Sequence, residues 1–292
     1  MSPPVLTVVV AVQHAQANVV EILERLDCAR HPQVEFLLCF TTSDAGTAGM
    51  LPALANARAI ECPPGSLIPH LWRDGIRAAQ ADRVAVTTAH CLPAPDWVAQ
   101  LLATDLASHA GAGGTFENDE QSDAVGWAIF FLRYLPFAPP QARRDVADIA
   151  ADNAVYRRGL LMAEADLLAA GFWEPGFHAR FRAAGHALQL DPRLRVIHRN
   201  RYSPAQFFRQ RLAHGREFGL ARAAHLARVR RAMLAILSPL LPLVFLRKIA
   251  ANARRPGAHR GHFARSLPWL CFFLLGWGLG EARGYWESLR QP

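Results

Sequence analysis

The sequence predicts an α/β fold, a parallel sheet covered by helices on both faces, followed by a C-terminal apolar helical segment that associates with a membrane. Three observations carry that expectation. Residues 5–12 form an unbroken, mostly β-branched run, the pattern of a strand buried on both faces. Strand-like and helix-like patterns then alternate up to residue 88, the order that gives parallel strands joined by crossover helices. Finally, residues 232–246 and 266–280 carry no charged side chain, a change of character late in the chain.

Taken in order, residues 15–26 follow the first strand and place Val19, Ile22, Leu23 and Leu26 at helical spacing. Residues 34–40 are a second buried run ending in the turn-forming Thr41-Thr42-Ser43-Asp44-Ala45-Gly46. A short strand is expected over 57–61, a helix over 68–79 and a strand over 83–88. Ligands of open α/β sheets bind beyond the carboxyl ends of the strands, so the turns at 13–14, 41–44 and 88–91 share one rim. Asp96 is placed to cap a helix running to Leu106. Gly111-Ala112-Gly113-Gly114 opens a strand to Phe116; lacking the Gly-Lys-Ser/Thr ending of a phosphate loop, it reads as a close approach of backbone to the cleft. An aromatic-rich helix over 123–134, a loop over 136–144, a strand over 188–198 and a helix over 204–222 follow.

Composition narrows the partners. Hydrophobic residues make up 51% of the 292, high for a freely soluble enzyme and indicative of membrane contact. The net charge of +8 is carried almost wholly by arginine, Lys248 being the only lysine. The planar guanidinium favours phosphate, carboxylate and anionic headgroup partners, although a GC-rich genome produces the same bias. The basic residues near the C-terminus have aliphatic rather than stacking aromatic neighbours, which argues against a nucleic-acid reader. Cys28, Cys39, Cys62, Cys91 and Cys271 show no paired spacing, so a zinc ribbon or thioredoxin-like site is not expected, and reduced core cysteines of a cytoplasmic protein are. Met1-Ser2-Pro3-Pro4 lacks the features of a secretory signal.

Each late apolar run is shorter than the ~20 residues of a straight spanning helix. Pro239 and Pro242 interrupt the first, and Arg247-Lys248, Arg254-Arg255 and His259-Arg260 separate the two. Helices lying in the membrane interface, or a re-entrant hairpin, are the favoured reading; a helical pair packed on the preceding domain and two tilted spans are the alternatives. The expected division is 1–225 for the α/β domain and 226–292 for the basic, apolar membrane-associating region.

The densest chemistry lies between residues 152 and 178. Asp152-Asn153-Ala154-Val155-Tyr156-Arg157-Arg158 precedes a helix-like run, and Gly171-Phe172-Trp173-Glu174 follows it. Adjacent arginines can grip an anionic substrate, and a lone carboxylate among aromatics can take a proton. With Thr87-Thr88-Ala89-His90-Cys91-Leu92-Pro93-x-Pro95-x-Trp97 and the strand order, this block resembles the GT-A fold of family 2 glycosyltransferases over roughly three-quarters of the chain. Trp277-Gly278-x-Gly280-Glu281-x-x-Gly284-Tyr285 is similar to the membrane-attached end of some bacterial members. The resemblance implies a GT-A, Rossmann-like nucleotide-diphospho-sugar transferase domain. It also implies a nucleoside diphosphate sugar as donor, a lipid-linked or envelope-glycan acceptor, transfer with inversion, and a place at the cytoplasmic face of a membrane. It puts Asp44, Arg73 and Thr88 on the donor side, His90 at the metal position, and Glu174 with Arg157 and Arg158 at the transfer centre, Glu174 acting as general base.

The chain departs from the family at two places. Phe40 and the Thr41-Thr42 turn replace the acidic residue that normally ends the second strand, leaving Asp44 as the nearest carboxylate. Thr88-Ala89-His90 replaces the Asp-x-Asp-type motif that holds a divalent metal, whereas Mg2+ and Mn2+ favour oxygen ligands. His90 stands either as a metal ligand or as a hydrogen-bonded turn residue. Without a metal, arginines must stabilise the leaving diphosphate; Arg73, Arg157 and Arg158 come first, with His178 and His198 behind them. The alternative function is a non-catalytic GT-A-fold scaffold at the membrane that has lost the metal site.

Overall fold

In the computed structural model, which describes residues 3–51, 53–224, 226–253 and 259–290, nine strands form one sheet. Met1, Ser2 and the Arg254-Arg255 pair lie outside the described residues. Strands β1 (Leu6–Ala11), β2 (Val34–Thr41), β3 (Ala57–Cys62) and β4 (Arg83–Thr88) are parallel, in the order β3-β2-β1-β4. Every residue of β1 and β2 is buried, as their aliphatic runs require. Helix α1 (Val19–Leu26) connects β1 to β2, and α2 (Ile68–Ala78) connects β3 to β4.

Beyond β4 the sheet is mixed rather than parallel. β5 (Cys91–Pro93), helix α3 (Trp97–Ala103), β6 (His109–Asn118), helix α4 (Ala124–Arg133), β7 (Arg144–Val146) and β8 (Asn153–Arg157) follow in order. After them come α5 (Arg158–Ala163), α6 (Ala165–Ala170), α7 (Glu174–Ala183) and β9 (Ala187–His198). β8 inserts antiparallel between β4 and β6, β6 is parallel to β9, and β9 is antiparallel to both β5 and β7. A hydrophobic run reports burial on both faces but not the direction of the neighbouring strand, so the parallel expectation, met in β1 to β4, does not extend to these later strands. α3 is shorter than expected and the Asp96 side chain does not cap it.

On one face of the sheet, Val9, Leu37, Val86 and Tyr156 pack with Leu71, Trp72 and Ile76 of α2 and with Phe172, Phe177 and Phe181. Fully burying each such side chain contributes about 1.5–3 kcal/mol, so this cluster fixes the position of α7. Gly114 marks a register shift between β6 and β9; a Cβ there would meet the Leu194 carbonyl oxygen at 1.9 Å. The glycines of β6 therefore serve close packing, Gly114 against the Leu194 carbonyl, Gly111 against Tyr156 and Gly113 against Ile149, rather than approach of the backbone to the cleft. Asn153, wholly buried, staples the irregularity: its Nδ2 donates to the carbonyls of Thr115 (3.1 Å) and Leu194 (3.0 Å), and its Oδ1 accepts from Trp97 Nε1 (2.7 Å).

The chain forms two compact units. One comprises Met1–Asp119 and Phe137–Arg201, and the other Glu120–Pro136 and Tyr202–Pro292. The second unit holds α4, α8 (Pro204–Ala223), α9 (Arg228–Leu237), α10 (Leu241–Asn252) and α11 (Arg260–Arg290). Ser203 caps α8 reciprocally with Gln206, and Pro204 takes the first helical turn, where its missing N–H costs nothing. α8 and α11 meet backbone to backbone at glycines: a Cβ on Gly280 would lie 2.1 Å from the Leu212 carbonyl oxygen, and one on Gly284 2.3 Å from that of Arg216. Arg228–Asn252 (25 residues) and Arg260–Arg290 (31 residues) are long and apolar enough to cross a membrane. Both exceed the uncharged runs because the helices continue through the flanking arginines. Pro239 falls in a short 3-10 turn and Pro242 in the first turn of α10, so neither breaks a helix interior.

Candidate active site

Parallel register brings the carboxyl ends of β1, β2 and β4 to one rim, with Ala11 beside both Cys39 and Thr88. Just past β1, Gln13 Nε2 donates to the Ser66 carbonyl (3.0 Å) and the exposed His14 takes a left-handed backbone, φ 55°. Past β2, the Thr41 and Ser43 hydroxyls lie 2.7 Å apart and Ser43 donates to Asp44 Oδ2 (3.2 Å), so the buried Asp44 closes a small polar turn. At the end of β4, Thr87 Oγ1 donates to the Asp152 carbonyl (2.8 Å) and Thr88 Oγ1 lies 3.4 Å from Asp152 Oδ1. Because β8 runs antiparallel to β4, Asp152 arrives at the rim as a buried carboxylate behind Thr88. The sequence placed Asp152 near the transfer centre but gave no sign of this pairing.

His90 is latched on both ring nitrogens. Nδ1 accepts from the Arg201 backbone N–H (3.3 Å), which leaves the proton on Nε2 to donate to the Gln13 carbonyl (3.0 Å). That tautomer has no lone pair left for a cation. The hydroxyl of Thr88 is a weak ligand, and among the described residues no group of three or more His, Cys, Asp and Glu side chains is arranged to hold a metal ion. These residues do not fit a hard divalent cation, and the expectation of His90 as a ligand is corrected to that of a turn latch. Asn18, also buried, completes the latch by donating to the carbonyls of Ala89 (2.9 Å) and Arg199 (3.2 Å).

Glu174 is the first residue of α7 and half-buried. The approach to it is rigid. Gly171 adopts φ 119°, and a Cβ there would meet His70 Cδ2 at 2.9 Å. Phe172 N donates to the Pro69 carbonyl (2.8 Å), its ring is wholly buried against Trp72, Tyr156 and Phe177, and Trp173 stands edge-on to His70. His178, one turn after Glu174 on the same helical face, donates from Nδ1 to Asp148 (3.2 Å) and accepts from the Tyr156 hydroxyl at Nε2 (3.1 Å). Burial pushes the Tyr156 hydroxyl well up, and the negative charges of Glu174, Asp148 and Asp152 push it further. Glu174 and Asp152 thus act on one buried phenol, which stays protonated. The Asp148 carboxyl is held below its ordinary range, chiefly by the hydrogen bond from His178.

Other expected site residues lie elsewhere. Arg157 and Arg158 stand at the far end of β8, where Arg157 pairs with Arg83 at the start of β4. There Arg157 lines a cavity of about 600 Å³ with Asp82, Arg83 and Asp105, and Arg158 donates to the carbonyls of Ile76 (2.9 Å) and Arg77 (3.0 Å). Arg157 and Arg158 thus stand at the end of β8 opposite to Asp152 and the rim. Arg73 is paired with Asp74 (2.7 Å), which raises its proton affinity, and donates to the Ala169 carbonyl (3.3 Å). His198 is buried against Asn118 (3.0 Å).

A mixed sheet with a parallel first half, an antiparallel insertion and a polar rim at the carboxyl ends is the fold of GT-A-type glycosyltransferases, and the chain has that fold. The mannosyltransferase PcManGT from Pyrobaculum calidifontis, in complex with GDP-Man and Mn2+, matches over 98% of this chain and 88% of its own, with a TM-score of 0.55 and 16% sequence identity. S. aureus TarS, residues 1–349, is similar at a TM-score of 0.49. Its complex with UDP-GlcNAc covers 73% of this chain, which spans 66% of that structure, just under two-thirds, at 12% identity. A second structure of TarS residues 1–349 matches over 91% of this chain and 89% of its own, at 11% identity. No protein-family model matches the chain, and neither does any curated protein sequence.

Proposed function

We propose that this protein is a glycosyltransferase that moves a sugar from a nucleoside diphosphate donor to an acceptor hydroxyl, with inversion, at the cytoplasmic face of a membrane. The observation that supports the reading is the placement of Glu174, half-buried at the start of α7, directly after the Gly171-Phe172-Trp173 segment that is held against Pro69 and His70. The GT-A fold supports a nucleotide-sugar donor, and the hydroxyls of Thr41, Ser43 and Thr88, with Asp44, line the rim where its base and ribose would lie. Glu174 removes the proton from the acceptor hydroxyl as its oxygen bonds to the anomeric carbon; the bond from that carbon to the diphosphate oxygen breaks, and its electron pair leaves with the nucleoside diphosphate.

The exposed apolar helices α9 and α10 support membrane attachment and hence a lipid-linked or envelope-glycan acceptor. The deciding experiment is Glu174→Gln in purified protein. Transfer, and slow donor hydrolysis, are expected to fall by about a hundredfold or more while donor affinity stays within about twofold. Unchanged turnover contradicts the assignment. A second reading, a membrane scaffold without activity, is favoured by the latched His90, whose ring fills the position of a metal ligand. Donor binding without turnover in the unaltered protein, across lipid-linked and glycan acceptors, selects it.

A further inference from the structure

A departing nucleoside diphosphate gains a full negative charge as its bond to the sugar breaks, and among the described residues no group of three or more His, Cys, Asp and Glu side chains is arranged to hold a cation against it. The cations expected from the sequence are engaged elsewhere: Arg73 with Asp74, Arg157 and Arg158 at the opposite sheet edge, His178 and His198 buried. A different guanidinium stands at the rim. After β9 the chain crosses the β4–β5 turn, and Arg199 N donates to the His90 carbonyl (2.7 Å) while Arg201 N donates to His90 Nδ1 (3.3 Å). The two arginines then diverge. Arg199 is ion-paired with Asp119 and Glu21. Arg201 is exposed, and its Nε donates to Asn18 Oδ1 at 2.6 Å. Among the described residues it has no ion pair, and its two terminal nitrogens have no recorded partner.

We infer that Arg201 binds the donor's diphosphate and stabilises it as it leaves, in the role that a carboxylate-held metal plays in other enzymes of this fold. The inference rests on the donor reading above. Three features make the position suitable. The guanidinium is aimed by a buried asparagine that is itself fixed by two backbone carbonyls, so little side-chain freedom remains to be lost on binding. It sits against the His90 turn, the place on the rim where the sequence resemblance puts a metal. It also retains a planar edge with N–H donors, the geometry that meets phosphate oxygens in pairs. The latch on His90 and the free edge of Arg201 are then one device: the backbone bond that occupies the imidazole is the bond that positions the arginine.

The test is calorimetric titration of the full-length protein, purified in detergent, with UDP, GDP, UMP and GMP in EDTA and again in Mn2+. Arg201→Gln, which keeps an N–H donor for Asn18, and Arg201→Lys, which keeps the charge, are compared with the unaltered protein. The unaltered protein is expected to bind UDP or GDP in EDTA, with Mn2+ changing affinity by less than about threefold. R201Q is expected to weaken diphosphate binding by about tenfold to a hundredfold, to leave monophosphate binding within about threefold, and to flatten the salt dependence; R201K should recover part of the loss. Diphosphate binding by R201Q equal to that of the unaltered protein overturns the role of Arg201 and leaves the donor reading standing. Binding that requires Mn2+ overturns it too. Failure of the unaltered protein to bind either diphosphate overturns both.

Discussion

At the scale of residues, the buried His178 is held by hydrogen bonds to Tyr156 and to the exposed Asp148, and Asp148 shows how such a bond can be measured. Its carboxyl is held below its ordinary value of 3.8, first by the His178 hydrogen bond and further by Arg182. The unfolded chain therefore binds more protons at this position than the folded one in the window below that value. The stability conferred is complete above it and is lost as the pH falls through the depressed, folded-state value. Asp148→Asn is expected to lower stability near neutral pH. The gap between the two proteins should close as urea unfolding is followed from about pH 7 down to about pH 3; a gap independent of pH contradicts the account. Glu174, the proposed base, can be picked out of the sequence because a carboxylate after Gly-Phe-Trp is a local pattern. Arg201 cannot. Its meaning comes from a bond to His90, 111 residues away in sequence, and nothing in local spacing reports where β9 ends relative to β4.

At the scale of elements, β1 to β4 and the helices between them were readable from aliphatic runs and helical spacing, to within a residue or two for the strands. The direction of β8 was not readable, and it decided the fate of two site expectations at once: it brought Asp152 to the rim and carried Arg157 to the far edge. The late helices carry their own test. None of the residues of α9 and α10 is buried, and Ile236 and Leu243 are 75% and 62% exposed. A charged residue at the centre of a membrane-embedded helix costs about 2.5–3.5 kcal/mol. The double substitution I236D/L243D is therefore expected to reduce flotation with anionic phospholipid vesicles by at least about tenfold while leaving the melting temperature unchanged. Flotation equal to that of the unaltered protein contradicts lipid contact by this face.

At the scale of the whole molecule, the fold and the rim can be separated from any assumption about acceptor or rate. The central claim is that a nucleoside diphosphate sugar binds where β1, β2 and β4 end. Hydrogen–deuterium exchange of the full-length protein in detergent, with and without saturating UDP- and GDP-linked sugars, tests it most directly. Protection is expected in the segments 12–18, 41–47 and 87–91 and around Arg201, with none along the opposite edge at 82–83, 104–107 and 157–160. Protection confined to that opposite edge, or none with any nucleotide sugar, would contradict the account.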